Sequence, residues 1–352
     1  MAQKKAFIGM SGGVDSSVAA FLTQKQGFFC VGCTMRLHNY ACGGADDALD
    51  ALAVARKLGI DHQILPFQKE FEETVISDFV CAYESGLIPN PCICCNRHLK
   101  FGAMLDKALE MGFDYVISGH YARICRDETT GRYLLYKAAD KSKDQTYFLA
   151  GLTQHQLSHI LFPLGGLSKA EVRSIAEENG FLNARKRDSQ DICFVPDGDY
   201  AAFLERYTGK TYPDGDYLDL EGNVVGRHRG AVRYTKGQRK GLGIALGAPV
   251  YVCKKDMNAN TVTVGPNEAL FSPALRARDW NWLPFPDLTQ PLRVTAKTRH
   301  SQSEQPATVY PEENGAARVE FDAPQRAVTP GQAVVLYDGD MVIGGGTIAE
   351  AL

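Results

Sequence analysis

A chain of 352 residues, 45% hydrophobic and 22% charged, has the makeup of a globular protein of two or three domains, and a net charge of −3 argues against a non-specific nucleic-acid binder. No apolar run is long enough to cross a bilayer. Met1-Ala2-Gln3-Lys4-Lys5 leads directly into the first strand with no room for a signal peptide, so a cytoplasmic location is expected, where ten cysteines are not a disulfide framework.

Ala6-Phe7-Ile8-Gly9-Met10 reads as a short buried strand. Ser11-Gly12-Gly13 is a turn that needs backbone freedom, and Asp15-Ser16-Ser17 opens a helix running to Gln26 with Gly27 as its stop. A strand, a glycine turn and a helix N-terminus converge unpaired N–H groups on one spot, an anion site to which the hydroxyls of Ser11, Ser16 and Ser17 add donors. No Lys precedes the final Ser, so the loop is not a Walker A loop. The chemistry expected in its place is cleavage at the α-phosphate of a nucleotide, with release of pyrophosphate.

A second apolar strand over 28–35 leads through a Gly- and Cys-containing loop over 36–44 to a helix over 46–58. A strand over 62–65 and a long helix over 67–83 follow. Pro89-Asn90-Pro91 then breaks the chain before Cys92-Ile93-Cys94-Cys95-Asn96, a helix over 96–111 ends at Gly112, and 115–118 is another strand. This alternation predicts right-handed crossovers and a doubly wound parallel α/β sheet. Ligands then lie beyond the carboxyl ends of the strands, where Ser11, Met35 and Gly119-His120 gather. A hairpin over 123–136, a helix over 167–180, a loop over 188–194 and a helix over 200–207 complete this part. Beyond Thr211 come short alternating runs at 250–254, 261–265, 292–298, 317–322, 333–337 and 341–348, the pattern of a small β-barrel. The expected division is an α/β domain over 1–207, a small central domain over 208–270, and a C-terminal β-barrel domain over 271–352.

From Gly222 to Lys255 there is no carboxylate, but there are Arg227, Arg229, Arg233, Lys236, Arg239, Lys240, Lys254 and Lys255. A solvated basic face and a phosphate-tracking loop both fit such a run. Cys30 and Cys33 sit in an apolar strand and read as packing residues. Cys92, Cys94 and Cys95, with Cys193 far along the chain, read as thiol or metal chemistry.

SGGVDSS resembles the signature loop of the PP-loop ATP pyrophosphatases, which adenylate a substrate oxygen and lose pyrophosphate. GMSGGVDSS, PNPCICCN, SGHYAR, KSKDQTYFL, FPLG, DSQDICF and YTKGQRKGLGI, in that order over more than two-thirds of the chain, resemble the tRNA-specific 2-thiouridylases. The resemblance implies that Gly9, Met10, Ser11, Gly12, Gly13, Val14, Asp15 and Ser16 hold the phosphates of ATP, while Met35 and Gly119 contact the adenosine. Asn90, Pro91, Cys92, Lys143, Asp144 and Gln145 would surround the target base. His120, Arg299, His300 and Gln332 match tRNA-contacting positions. Cys95 matches the nucleophile or resolving cysteine and Cys193 the persulfide carrier. The fold implied is a PP-loop catalytic α/β domain, a central domain that binds tRNA and a C-terminal β-barrel.

The implied reaction adenylates the C2 oxygen of the wobble uridine in the anticodon arm of Lys, Glu and Gln tRNAs. Sulfur from a Cys193 persulfide then displaces AMP, and Cys95 resolves the remnant as a disulfide. ATP with magnesium held by Asp15 is expected, and a cysteine desulfurase or sulfur-relay protein would supply the sulfur. A lowered thiol pKa is needed, and Arg185-Lys186-Arg187 are near enough in sequence to provide positive charge. The family often has Asp where this chain has Cys92. Cys92, Cys95 and Cys193, with Cys42 as a fourth thiol, could also anchor an iron–sulfur cluster, and zinc is a structural alternative. The persulfide reading is preferred and no metal ligand is assigned. The rival readings are another PP-loop ligase, such as an argininosuccinate synthetase, and a metal- or RNA-binding module.

Overall fold

The computed structural model describes residues 3–37, 45–186 and 192–352. Ala6, Phe7 and Ile8 of the first strand, β1 (Lys5–Gly9), are fully buried, as a strand must be when both faces of its sheet are covered. On one side β1 pairs in parallel with β2 (Phe29–Arg36), beyond which lies β3 (Asp61–Pro66). On the other it pairs with β4 (Tyr115–Ile117). The chain then leaves this sheet in a hairpin, β5 (Ala122–Arg126) and β6 (Tyr133–Lys137), and returns as β7 (Ile160–Leu161) beside β4. The order is β3-β2-β1-β4-β7, all parallel, with helices α1 (Val14–Lys25) and α2 (Ala45–Leu58) among the crossovers. Strand order reverses between β1 and β4, so the connections leaving their carboxyl ends part there and open a crevice.

The helix expected over 96–111 starts earlier, at Pro91, so the three cysteines lie in helix and not in a loop before it. Proline at the first helical position needs no N–H partner, and Asn90 supplies the cap. The segment is α-helical over Pro91–Cys94, π-helical over Cys95–Ala103 and α-helical again over Met104–Glu110.

Strands β8 (Gly215–Leu218), β9 (Val224–His228), β10 (Tyr251–Asp256) and β11 (Thr261–Gly265) form a separate sheet in the order β10-β11-β8-β9. Its core is its own, built from Tyr217, Tyr234, Val252, Val262 and Val264. The first two of these strands escaped the sequence reading because Tyr217 is the one large ring they turn into the core, while Gly215, Gly226 and His228 interrupt the apolar pattern.

The C-terminal strands are β12 (Phe271–Trp282), β13 (Leu292–Lys297), β14 (Gln305–Pro311), β15 (Ala317–Arg326), β16 (Ala333–Asp338) and β17 (Met341–Ala351). They run β12-β15-β14-β13-β16-β17, and β12 pairs with β17 to close a six-stranded barrel. Leu275, Val294, Val309, Val319, Leu336 and Ile348 fill it. β12 and β14 were not anticipated, since alanines, arginines and prolines blur their alternation.

The barrel is not an independent bead. The hairpin β5–β6 joins its sheet through Met341 and Tyr136, and Val335, Tyr337 and Val342 belong to the same buried cluster as Tyr147, Leu149 and Phe101. Asn281 Nδ2 donates to the carbonyls of Ala150 and Leu152 at 2.8 and 2.9 Å, and Tyr147 Oη donates to Ala333 at 2.9 Å. Among the described residues no helix is long and apolar enough to cross a membrane.

Candidate active site

The loop after β1 is shaped by what surrounds it. Gly12 has φ +73°, and a Cβ there would lie 2.2 Å from the carbonyl oxygen of Asp47, so only glycine fits. Gly13 caps α1 and has no side chain with which to satisfy the first helical amides. Ser16 Oγ accepts from the Ser11 amide at 3.2 Å and lies 3.4 Å from Ser11 Oγ, which gathers both hydroxyls at the helix mouth. Asn183 Nδ2 donates to Gly12 O and Ser17 Oγ, both at 2.9 Å, and Lys186 Nζ bridges Asp47 and Asp50 at 2.6 and 2.7 Å. The cradle is thus held from outside by Asn183, Asp47 and Asp50, which the sequence reading did not single out, and by Lys186, which it had set beside the thiols.

Asp15, expected at a magnesium ion, has both carboxylate oxygens 2.8 Å from Lys169 Nζ and accepts from Tyr121 Oη at 2.8 Å. Lys169 starts a helix, Lys169–Glu178, whose capping box between Ser168 and Glu171 fixes its position. Gly119 follows β4 and abuts the same helix mouth, where a Cβ would lie 2.7 Å from Asp15 C and 2.8 Å from Ser16 N. Met10 and Val14 are buried behind the loop, a Cβ on Gly9 would meet Met104 at 3.5 Å, and Met35 lies partly buried near the end of β2.

The cysteines come from a second element. Asn90 Oδ1 accepts from Ile93 N at 3.4 Å and Pro91 begins the helix, so Cys92 and Cys95 stand one turn apart. The π-winding from Cys95 pairs residue i with i+5, so Lys100 follows Cys95 at the π-helical spacing, and its charge acts on the Cys95 thiol. Burial pushes the Cys95 thiol up, Lys100 pulls it down, and nearby Cys92 adds a smaller upward push. Cys193 is pushed up to about 12 by the protein crowding it and by Cys95, against the pull of Lys100. Cys92 is likewise raised by burial and lowered by Lys100. Three thiols, one of them remote in sequence from the other two, therefore share one ammonium.

Among the described residues Lys100, and not Arg185 or Lys186, is the cation that acts on the sulfurs. Lys186 is bound to Asp47 and Asp50, and Arg185 faces Glu177 with its side chain 90% exposed. Arg187 lies outside the described residues, as do Asp188 to Asp191 and Cys42. Cys94 turns to the neighbouring helix, where its Sγ donates to Thr74 O at 3.7 Å, and burial holds its thiol up at about 12. Among the described residues no three His, Cys, Asp or Glu side chains are grouped to hold a metal ion.

His120 links the two halves. It follows Gly119, its Nδ1 lies 2.6 Å from Ser118 Oγ, and its ring packs near Phe101 and Phe162. Burial, and then Lys100, hold its pKa well below the ordinary value, so the ring is neutral. The nucleotide loop, Gly119-His120, Lys100 and the thiols form one continuous site.

Other expected residues are committed to structure. Gln145 Oε1 accepts from Tyr121 N at 2.9 Å, while Asp144 accepts from Ala138 N at 3.1 Å and Thr146 Oγ1 at 2.6 Å. Lys143 N donates to Asp140 O in the same turn. The His300 ring packs 4.4 Å from that of Phe148. Arg299 donates to Ala327 O at 2.7 Å and borders a depression of about 410 Å³ with Gln302, Gln325 and Arg326. Gln332 Nε2 donates to Ile88 O at 2.9 Å and ties the barrel to the segment leading into the cysteine helix. In the basic segment, Arg233 is paired with Glu205 at 2.7 Å and Arg227 with Asp216 at 3.5 Å, while Arg229, Arg239, Lys240 and Lys254 are exposed.

Residues 4–197 match the tRNA methyl transferase HUP domain, 201–266 the tRNA methyl transferase PRC-barrel domain, and 272–348 the aminomethyltransferase beta-barrel domain. A tRNA-specific 2-thiouridylase MnmA of Acetivibrio thermocellus is 50% identical over 99% of this chain and all of its own length. One of Clostridioides difficile is 47% identical over 99% of both chains, and one of Symbiobacterium thermophilum is 48% identical over 99% of this chain and 93% of its own. The domain names speak of methyl transfer, whereas these full-length relatives are named for thiolation.

Proposed function

Because the chain belongs to the tRNA-specific 2-thiouridylase family, we propose that it converts the wobble uridine of Lys, Glu and Gln tRNAs to 2-thiouridine by adenylation and persulfide transfer. It is a sulfurtransferase acting on tRNA uridine. The observation that carries the mechanism is the meeting of Cys95 and Cys193 before Lys100, beside an uncapped glycine loop. A ligase that only forms amide bonds has no use for that pair.

ATP fits the cradle. The helix mouth at Gly13, the hydroxyls of Ser11 and Ser16, and the close approach enforced at Gly12 suit its phosphates, with magnesium as the companion cation. Bound there, ATP supplies the leaving group that the C2 oxygen lacks. That oxygen takes AMP and pyrophosphate departs. The terminal sulfur of a Cys193 persulfide forms the C2–S bond as AMP leaves. Cys95 thiolate then attacks Cys193 Sγ, which breaks the S–S bond to the transferred sulfur and closes a Cys95–Cys193 disulfide. Lys100 stabilises each sulfur anion in turn. An unpaired anticodon base can enter such a crevice without melting a duplex. The sulfur arrives from a cysteine desulfurase or relay protein.

The test is mass spectrometry of tRNA nucleosides after incubation with ATP and a persulfide donor, together with pyrophosphate release with and without tRNA. The expected result is 2-thiouridine at the wobble position and pyrophosphate only when tRNA is present. Rapid pyrophosphate release without tRNA, or no thiolated base, would sink the reading.

A further inference from the structure

We propose that Cys92 is a second resolving thiol, which takes over the disulfide formed at Cys95 and frees Cys193 for its next sulfur. The inference rests on the persulfide reading above, in which each turnover ends in a Cys95–Cys193 disulfide. Cys92 and Cys95 are three residues apart in right-handed helical backbone, Cys95 itself at φ −60° and ψ −43°. That spacing places both side chains on one face at a separation a disulfide can span. Cys92 is exposed and Cys95 is buried. The charge of Lys100 acts on all three thiols, and that of Cys92 on both of its partners.

In the exchange the Cys92 thiolate attacks Cys95 Sγ. The Cys92–Cys95 bond forms, the Cys95–Cys193 bond breaks, and Cys193 leaves as a thiolate that takes up the proton Cys92 gave away. No net oxidation occurs. The new disulfide is then reduced by two electrons from an external dithiol, which departs as its own disulfide and leaves both cysteines protonated. Two features favour this route over direct reduction. Cys92 is held beside its target, so the exchange is intramolecular. Cys92 and Cys193 are both exposed residues whereas Cys95 is enclosed, so passing the disulfide to Cys92 keeps one accessible partner for a protein dithiol while releasing Cys193.

The test maps disulfides. Wild-type protein loaded with persulfide turns over once with ATP and tRNA in the absence of reductant, is quenched in acid and alkylated, and its peptides are analysed by mass spectrometry. The expected product is a Cys92–Cys95 link with Cys193 alkylated, and Cys92→Ser should stall at Cys95–Cys193. With a protein dithiol as reductant, the ratio of steady-state to single-turnover rate should fall on the order of tenfold or more in Cys92→Ser, and recover with a small-molecule dithiol. Damage to base binding would lower both rates and leave that ratio unchanged, which would count against the relay. Wild type stalled as Cys95–Cys193 with Cys92 alkylated overturns the relay and leaves the persulfide reading standing. Thiolated tRNA with neither link in wild type overturns the persulfide reading, and the relay with it. Should Cys92→Ser fail to fold, the wild-type map decides alone.

Discussion

The charge of Lys100 acts on sulfur where that of a lysine more often acts on a carboxylate, and its effect is to favour thiolates at Cys95 and Cys193. Replacing it by Met removes that pull, so both thiol pKa values rise and the thiolate fraction at a fixed pH falls. The activity profile should move to higher pH, and alkylation of Cys193 at pH 8 should slow roughly tenfold for each unit of rise, with Lys100→Arg restoring most of it. Equal alkylation rates in Lys100→Met and wild type would show that another group governs the sulfurs. Asp15 presents a different case, because its side chain is 30% exposed and that of its partner Lys169 12%. Asp15→Ala should abolish pyrophosphate release, leave tRNA affinity nearly intact, and cost about 1–3 kcal/mol of stability through loss of the Lys169 ion pair and the Tyr121 hydrogen bond. Pyrophosphate release at the normal rate in Asp15→Ala would remove this pair from the site.

At the scale of elements, the end of β4 and the start of α1 approach so closely that Gly119 is a contact and not a spacer. A methyl group there would overlap the backbone of Asp15 and Ser16. Gly119→Ala should therefore cost about 1–3 kcal/mol by overpacking, and should abolish the rise in melting temperature that ATP confers on wild type. Thermal melts with and without ATP check both, and an unchanged ATP shift would place the nucleotide elsewhere. The cysteine helix is likewise decided by its surroundings. No glycine or proline lies at its α-to-π transition at Cys95, since Pro91 opens the helix a turn earlier and Gly102 lies near its far end. Nothing in CNRHLKF announces the winding that sets Lys100 at the π-helical spacing from Cys95. Lys100 was readable only as a residue on some helix.

Across the whole molecule, three β and α/β units meet in a seam that employs residues the motifs had assigned to tRNA. Gln332 ties the barrel to the α/β unit, His300 packs on Phe148 there, and Arg299 braces the barrel's own Ala327. The basic central segment is also sorted by packing, with Arg233 bound to Glu205 and Lys236 half-buried with its pKa lowered by that burial, while Arg239 and Lys240 stand exposed. Arg239→Glu with Lys240→Glu should weaken tRNA binding and flatten its salt dependence, by about 0.9 in the log–log slope for each phosphate no longer neutralised. Arg233→Glu should instead lower stability through repulsion from Glu205. A salt slope unaltered by the first pair would mean that this face is merely solvated.

By itself the sequence determined the reaction class and the architecture of the nucleotide half. A strand, a glycine turn and a helix mouth are consecutive residues, and their chemistry needs no distant partner. It likewise marked Cys95 and Cys193 as a pair, through motifs that travel together. Only the tertiary structure decided what charges those sulfurs meet, that Asp15 faces Lys169, that Asn183 and Lys186 brace the loop, and that Cys92 shares a helix face with Cys95. Each of these depends on contacts between residues remote along the chain or on a local winding that propensity does not encode. Alternation marks a strand only when its large apolar positions recur without interruption, so β8, β9, β12 and β14, in which glycines, alanines, arginines and prolines break the pattern, became visible only once neighbouring strands had enclosed them.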